Sequence, residues 1–549
     1  MSEGGGMSKS EENDTKLKSY GQYFTPKRVA DFMVSLISHP KDAKVLEPCA
    51  GEGVFIESLW RAGFRNIVAY EIDKTLPNKS PVPIEYRNFL EIPARERFDV
   101  VIGNPPYVRW KNIPKEWRNM FKTNPYWNKV INGLGDLTYA FIYHSVNMLK
   151  QGGELIFITP FFWTETVHGK QLRKYLIERG DLELLINFNE MRIFPKVSST
   201  IIIFKYVKEK RNRSVKIVNI RAKEKLVPHH LKKVQRLLER LKSCEDIQEG
   251  IYEAYMHDQF KGGEQWKPLP PNNSNPIIEL ETEQPEVLTP LGEMADIGNG
   301  MVSGLDKAFI INQDELKVLT PEERKRIIWV YKAKTLNRIV PEEPSIPYIY
   351  ANDIKEESIF EQLCPNFYTH LSRYKDKLLA RYNYGRDIPW WHWVFPRNKH
   401  LFENHSEKIL VPSKERYDSK GYFRFTYICD TKGKRYYATQ DVTVIALRGR
   451  VKESTKYVVG LLNSSVYQDY ILHKGFSRGG VYDFSERPLA TIPIIRIDFS
   501  NEKEAKIHDE ITAMVEKAVK TKKALEYITK IDEYVAELIE VKQSLGNLP

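Results

Sequence analysis

The run Phe98-Asp99-Val100-Val101-Ile102-Gly103 is followed by Asn104-Pro105-Pro106-Tyr107. Two consecutive prolines cannot donate to a β-ladder, so a strand over the apolar run must stop there. The run is short and apolar, as a strand buried on both faces is. The tetrapeptide is therefore placed at a strand's carboxyl end, the edge where open α/β sheets hold ligands. A side-chain amide, two carbonyls on residues without N–H donors and an aromatic ring suit the holding of a planar amino group while it is alkylated.

Six more runs of this kind flank it. Strands are expected at 45–48, 67–70, 84–86, 98–102, 154–159, 182–188 and 200–206. Helix-length segments separate several of them, which argues for a parallel, doubly wound sheet of seven strands, the Rossmann-like α/β class. Val29, Phe32, Met33, Leu36 and Ile37 recur at helical spacing ahead of the first strand. Five segments follow: a flexible start over 1–19, a catalytic α/β domain over 20–245, a linker over 246–286, a mixed α+β domain over 287–500 and a helical end over 501–549. The linker rests on the Pro/Asn/Gly-rich stretch 262–276, the helical end on Ile507, Ile511, Met514, Val515 and Val519.

The chain has 549 residues, room for two cores, and a formal net charge of +11. A polyanion partner fits that charge, and residues 205–242 hold fourteen Lys/Arg against three acids. The four cysteines are far apart, with no zinc spacing, so neither a disulfide framework nor a structural metal is expected. No apolar run has the length of a membrane span and no signal-peptide core opens the chain. A cytoplasmic protein of a reducing compartment is expected.

Two features read as a nucleoside site. Glu47-Pro48-Cys49-Ala50-Gly51-Glu52-Gly53 follows the first strand, and its glycines allow a tight turn and close approach of a ligand. Twenty residues after Gly51, the second strand ends in Glu71-Ile72-Asp73, where a carboxylate can accept from both ribose hydroxyls. The loop lacks the full GxGxxG of pyrophosphate binders, which favours S-adenosylmethionine over a dinucleotide. Tyr20-Gly21-Gln22-Tyr23-Phe24-Thr25-Pro26 reads as a helix entry, with Thr25 as N-cap and Tyr20–Phe24 left to fold over a cofactor.

In this order the blocks resemble the N6-adenine DNA methyltransferases, in particular the TaqI-type gamma-class enzymes of type II restriction–modification systems. The matching segments are 21–26, 47–53, 70–73, Asn88-Phe89-Leu90, 104–107 and Phe194-Pro195-Lys196-Val197-Ser198-Ser199-Thr200. The resemblance implies that Tyr23, Thr25, Glu47, Pro48, Ala50, Gly51, Gly53, Glu71, Ile72, Asn88, Phe89 and Asn104 hold S-adenosylmethionine. Asn88 stands where the family usually has Asp. Asn104, Pro105, Pro106 and Tyr107 are the expected catalytic residues. The Asn104 side-chain oxygen and the Pro105 carbonyl would each accept one N6–H bond of a flipped adenine, and Tyr107 and Phe194 would stack on it.

The second half resembles a target-recognition domain more loosely, through 297–309 and 475–481. Lys196, Arg397, Lys434, Arg435 and Arg478 are the expected contacts to double-stranded DNA, with Arg478 in reach of a guanine edge. The tryptophans at 390, 391 and 393 read as core. About nineteen residues precede the Tyr20 block, too few for a nuclease, so a modification enzyme acting as a monomer is expected. Two other readings stay open: an RNA or protein-glutamine methyltransferase using the same Asn-Pro-Pro-Tyr chemistry, and a DNA-binding specificity module with a degenerate catalytic half.

Overall fold

A computed structural model describes residues 21–95, 97–131, 135–194, 199–222, 224–241, 246–269, 275–417, 421–478 and 481–546. The chain divides into two units, 1–271 with 478–480, and 272–477 with 481–549.

The first unit is built on one sheet. Its strands are β1 (Val45–Glu47), β2 (Ile67–Glu71), β3 (Glu85–Tyr86), β4 (Phe98–Gly103), β5 (Leu149–Pro160), β6 (Asp181–Asn187), β7 (Ile201–Val207), β8 (Val215–Ile220), β9 (Ile247–Glu249) and β10 (Tyr252–His257). Their order is β3-β2-β1-β4-β5-β7-β6-β8-β10-β9. β3, β2, β1, β4 and β5 run parallel; β7 is antiparallel to both of its neighbours. The seven expected strands are all present in the Rossmann-like arrangement. Three more extend the sheet beyond β6, β10 pairing antiparallel with β8 and β9. Residues 247–257, read from sequence as the start of a linker, thus lie in the sheet. Their half-polar alternation is that of an edge hairpin, quieter than a core strand. Trp266, further along the same stretch, is fully buried against Trp163, ring centroids 5.4 Å apart.

Alternation along the strands sends side chains to two cores. Val100, Ile102, Ile156 and Ile158 join Val29, Met33, Phe55, Leu59 and Leu231 of helices α1 (Lys27–Ser35), α2 (Val54–Arg61) and α6 (Pro228–Arg240). Val101, Leu155 and Phe157 face Phe121 of α3 (Lys115–Thr123) and Phe141, Ile142, Leu172 and Leu176 of α4 (Leu137–Met148) and α5 (Lys170–Arg179) on the other side. Of the basic run 205–242, β8 and the apolar face of α6 are core, and Lys205 is a buried cation held by Glu154 at 3.0 Å and Glu183 at 2.9 Å.

The second unit has two cores. One is formed by the sheet of Ala295–Asn299, Val442–Leu447, Glu407–Pro412 and Thr426–Cys429 together with helices Thr455–Asn463, Glu502–Thr521 and Ala524–Gly546. Gly460 is needed there, since a Cβ on it would lie 2.4 Å from Ile511 Cγ2. The other gathers Trp390, Trp391 and Trp393 with Phe360 and Phe309. Trp391 stacks on Phe360 at 5.1 Å. Among the described residues no helix is long and apolar enough to cross a membrane.

Lys205→Ala is expected to strand Glu154 as a buried, unpaired charge at a cost of roughly 3–5 kcal/mol. Calorimetry should show the first unit melting earlier, and Lys205→Ala/Glu154→Gln should recover part of the loss.

Candidate active site

The strand order reverses between β1 and β4: the chain runs outward through β2 and β3, then returns to β4 on the other side of β1. In parallel strands all carboxyl ends meet at one edge, and the reversal opens a crevice there. A cavity of about 310 Å³ occupies it. Its wall includes Tyr23, Pro48, Gly51, Glu71, Ile72, Asn88, Phe89, Asn104 and Pro106. Thr25, Glu47, Ala50, Gly53, Pro105 and Tyr107 are not among its lining residues.

Gly51 and Gly53 take φ of +56° and +93°, conformations that glycine tolerates and other residues resist. The turn they make presents the Gly51 N–H to Glu71 Oε2 at 2.7 Å. The Ile72 and Asp73 amides donate to Oε1 at 2.8 and 2.9 Å. Three backbone donors fix this carboxylate at the end of β2: Oε1 accepts two and Oε2 one, which leaves a lone pair on Oε2 for a further donor. Glu47, at the end of β1, is buried, and its Oε2 has no partner. Burial, and then the charge of Glu71, raise its pKa well above the carboxylate range. Cys49 beside it is pushed up by burial, Glu47 and Glu71, so its thiol stays protonated and donates to the Asn104 carbonyl at 3.1 Å. Phe89 packs among Tyr70, Phe141 and His144. Asn88 caps the turn Phe89–Glu91: its Oδ1 accepts the Leu90 N–H at 3.2 Å and its Nδ2 donates to Glu91 at 2.9 Å. An Asp at this position would face Glu91 as a like charge.

Asn104 leaves the end of β4. Its Nδ2 donates to the Tyr23 carbonyl at 2.7 Å and to Thr25 Oγ1 at 3.1 Å. Its Oδ1 accepts from the Tyr107 hydroxyl at 2.5 Å. The same hydroxyl has a second acceptor in reach, the Ile158 carbonyl at 3.2 Å. Burial raises the Tyr107 pKa, so this phenol is a donor. Thr25 was expected to cap α1 with its side chain. Pro26 is the capping residue instead, and the Thr25 hydroxyl is turned to Asn104. The Pro106 carbonyl accepts from Thr138 Oγ1 at 2.9 Å.

Three aromatic rings close this end. Tyr23 stacks on Tyr107 at 5.3 Å, and Phe194, which is buried, meets Tyr107 edge-on at 6.3 Å. Gly21 lets the Tyr23 segment lie this close, because a Cβ there would sit 2.7 Å from the Tyr107 nitrogen. Sequence reasoning did not single out Leu76, Arg87, Val108, Pro114, Trp117, Leu137 or Phe141, all in the cavity wall. Leu137 and Phe141, four apart on one helix face, were the readable pair among them.

Of the expected DNA contacts, Lys196 and the side chain of Arg478 fall outside the described residues. Arg397 donates to the Gly300 carbonyl at 3.0 Å. Lys434 and Arg435 are exposed beside a tight turn, with Lys434 3.7 Å over the Trp329 ring and Arg435 paired with Asp430.

The family model of the N-6 DNA methylases matches residues 10–62, and that of the Eco57I restriction-modification methylases matches 54–194. The type II methyltransferase M.HindII of Haemophilus influenzae is 38% identical over 526 residues, covering 93% of this chain and 96% of that protein. The chain belongs to the N6-adenine DNA methyltransferases of type II restriction–modification systems. A second such relative, M.HincII of Haemophilus influenzae, is 36% identical over 93% of this chain and 96% of its own length. Among solved structures, the type IIL restriction-modification enzyme MmeI, determined in complex with DNA, matches with a TM-score of 0.59 at 11% identity, over 93% of this chain and 72% of that one. That likeness is one of fold. This DNA methyltransferase thus places its Asn-Pro-Pro-Tyr segment at the reversal of a doubly wound sheet.

Asp136, which caps α4 beside this site, is a buried carboxyl. Burial, opposed by bonds from Thr138, raises its pKa to about 7. In the unfolded chain it ionises near pH ~4. Between those values the folded state keeps a proton that the unfolded state has lost, so stability falls as pH rises from about 4 to about 7. Asp136→Asn keeps a capping side chain and is expected to flatten that slope and to raise the melting temperature at pH 8 by several degrees, as thermal unfolding across pH 5–8 will show.

Proposed function

We propose that this enzyme transfers a methyl group from S-adenosylmethionine to N6 of an adenine flipped out of duplex DNA. What carries the reading is Asn104, whose amide nitrogen is tied back into the protein while its oxygen points to a neutral donor that can let it go. When bound, S-adenosylmethionine supplies an electrophilic sulfonium methyl. The residues present fit it. The partnerless, buried Glu47 oxygen lacks a donor that an ammonium group would provide. Glu71 would take a ribose hydroxyl with the lone pair left on Oε2, and Phe89 would flank the cofactor's base, with the Asn88 oxygen beside it.

The exocyclic nitrogen of adenine is a weak nucleophile because its lone pair is delocalised into the ring. Asn104 Oδ1 and the Pro105 carbonyl accept its two hydrogens, which draws the nitrogen toward tetrahedral geometry. As the N–C bond would form and the sulfonium C–S bond break, the same oxygens would stabilise the positive charge that develops on the nitrogen, which is discharged by loss of one N6 proton to water. Tyr107 frees the first oxygen by turning its single hydroxyl proton to the Ile158 carbonyl. Its ring then offers a stacking face to the base, in exchange for Tyr23, with Phe194 at the edge. Stacking of ~1–3 kcal/mol offsets part of the few kcal/mol that flipping costs.

In this reading the catalytic domain runs from residue 20 through β9 and β10 to 271, and 287–500 read the DNA target, with 501–549 as a helical support. The enzyme works as a monomer in a prokaryotic cytoplasm, where its substrate is. Lys434 and Arg435 are suited to phosphates by their exposure; Arg397 would first have to leave the Gly300 carbonyl.

Asn104→Ala is expected to reduce methyl transfer by at least 10²–10³-fold, the rough scale of losing a transition-state acceptor. Tyr107→Ala should cost about 5- to 150-fold through poorer base capture. Labelled-methyl incorporation into duplex DNA, tRNA and protein, measured side by side with equilibrium dialysis of the cofactor, tests this. Incorporation into tRNA or protein in place of DNA, or near wild-type turnover by Asn104→Ala, overturns it.

A further inference from the structure

In the second unit, residues 382–387 (Tyr-Asn-Tyr-Gly-Arg-Asp) are six consecutive exposed positions. Tyr382 is 75% exposed, the highest value for a large hydrophobic side chain among the described residues, and Tyr384 is 47% exposed. Their rings lie 4.6 Å apart. Two such rings in water forgo burial that either could have had in the tryptophan core a few residues away.

The backbone beneath them is shaped at a cost. The Arg386 N–H bonds to the Asn383 carbonyl at 3.2 Å, and φ is +58° at Tyr384 and +72° at Gly385. Positive φ at both central residues is the type I′ pattern, whose first central position favours Asn, Asp or Gly. A bulky residue there is strained, and such strain persists where the surroundings impose it and a function uses it. The surroundings do impose it. The Asn383 side chain accepts the Gly385 N–H at 3.1 Å. The Arg381 guanidinium donates to the carbonyls of Ser303 at 2.8 Å, of Trp390 at 3.1 Å and of His392. Arg386 lies 3.7 Å over the Phe395 ring. The result is a tip fixed at its base with two rings held outward. Over residues 373–399 there are seven Lys/Arg against two Asp; Arg373, Lys375 and Lys399 pair with Glu315, Glu357 and Glu403, and Lys377 and Arg386 are exposed.

We propose that this tip enters a groove of the duplex and packs the Tyr384 ring, flanked by Tyr382, against a base step. The occupant is DNA on grounds of charge, since a cationic base with a stacking tip matches a polyanion with exposed π-faces. This rests on the DNA-methylating function above and adds a positioning element that the sheet-edge site does not contain. Tyr384 is a positioning residue: it holds the duplex in register and touches no reacting atom.

Tyr384→Asn separates this role from a structural one, because Asn suits the first central position of the turn. The variant is expected to melt at the wild-type temperature or above it. Binding to a duplex carrying the sequence that the wild-type enzyme methylates is expected to weaken roughly 5- to 150-fold, the range for loss of one base–aromatic stack. Stacking releases no counterions, so the slope of log K against log salt should not change. Tyr384→Phe should bind as wild type does, and Tyr382→Ala should fall between. Wild-type affinity in Tyr384→Asn overturns the proposal, as does a loss that accompanies a lowered melting temperature or a flatter salt slope. If the wild-type enzyme itself neither binds nor methylates duplex DNA, the functional reading fails first and takes this one with it.

Discussion

The orientation of one carboxamide governs the site. Asn104 Nδ2 has two acceptors, the Tyr23 carbonyl and Thr25 Oγ1, and Oδ1 has the Tyr107 hydroxyl. Turning the amide over would set its oxygen against the Tyr23 carbonyl, which can only accept, and its nitrogen would lose two bonds. The oxygen is therefore committed to the aromatic end of the crevice before any ligand arrives. Preorganisation of that kind, with no reorientation left to do, is what makes a fixed dipole effective at a developing charge.

The partners in that arrangement come from widely separated stretches of chain. The Tyr23 segment precedes α1, Asn104 and Tyr107 follow β4, Ile158 belongs to β5, and Phe194 lies between β6 and β7. A sheet whose first strands run parallel brings their carboxyl ends to one edge, and the crossover from β3 back to β4 leaves space there. The two carboxylates follow the same logic one strand further out, Glu47 on β1 and Glu71 on β2. Glu71 is saturated by backbone on one side, whereas Glu47 is buried with an oxygen unused. Their difference in environment comes from the turn that Gly51 and Gly53 allow.

Much of this was legible in sequence because it rests on local rules. Apolar runs marked the seven strands, the prolines ended β4, and paired glycines and a strand-end acid marked the turn and Glu71. What was hidden depended on tertiary partners. β9 and β10 form a half-polar hairpin, with β9 at the sheet's edge, whose pairing, more than its composition, defines it. Trp266 sits in a stretch that composition marks as a linker, and its burial comes from the distant Trp163. Thr25 has the residue type and spacing of a cap, yet Asn104, far along the chain, takes its hydroxyl. The stacking of Tyr23 on Tyr107 follows from the close approach at Gly21, and nothing in either local segment announces it.

Cys49 shows what the crowding of acids at this edge achieves. Cys49 lines the crevice, where, under the proposed function, a thiolate would compete with an aromatic amine for the electrophilic carbon. Burial and two neighbouring glutamates keep the sulfur in its unreactive form, and its proton is occupied with the Asn104 backbone. Under the proposed function the pocket would thereby be guarded against alkylating its own wall, a hazard wherever a reactive carbon is held within reach of sulfur.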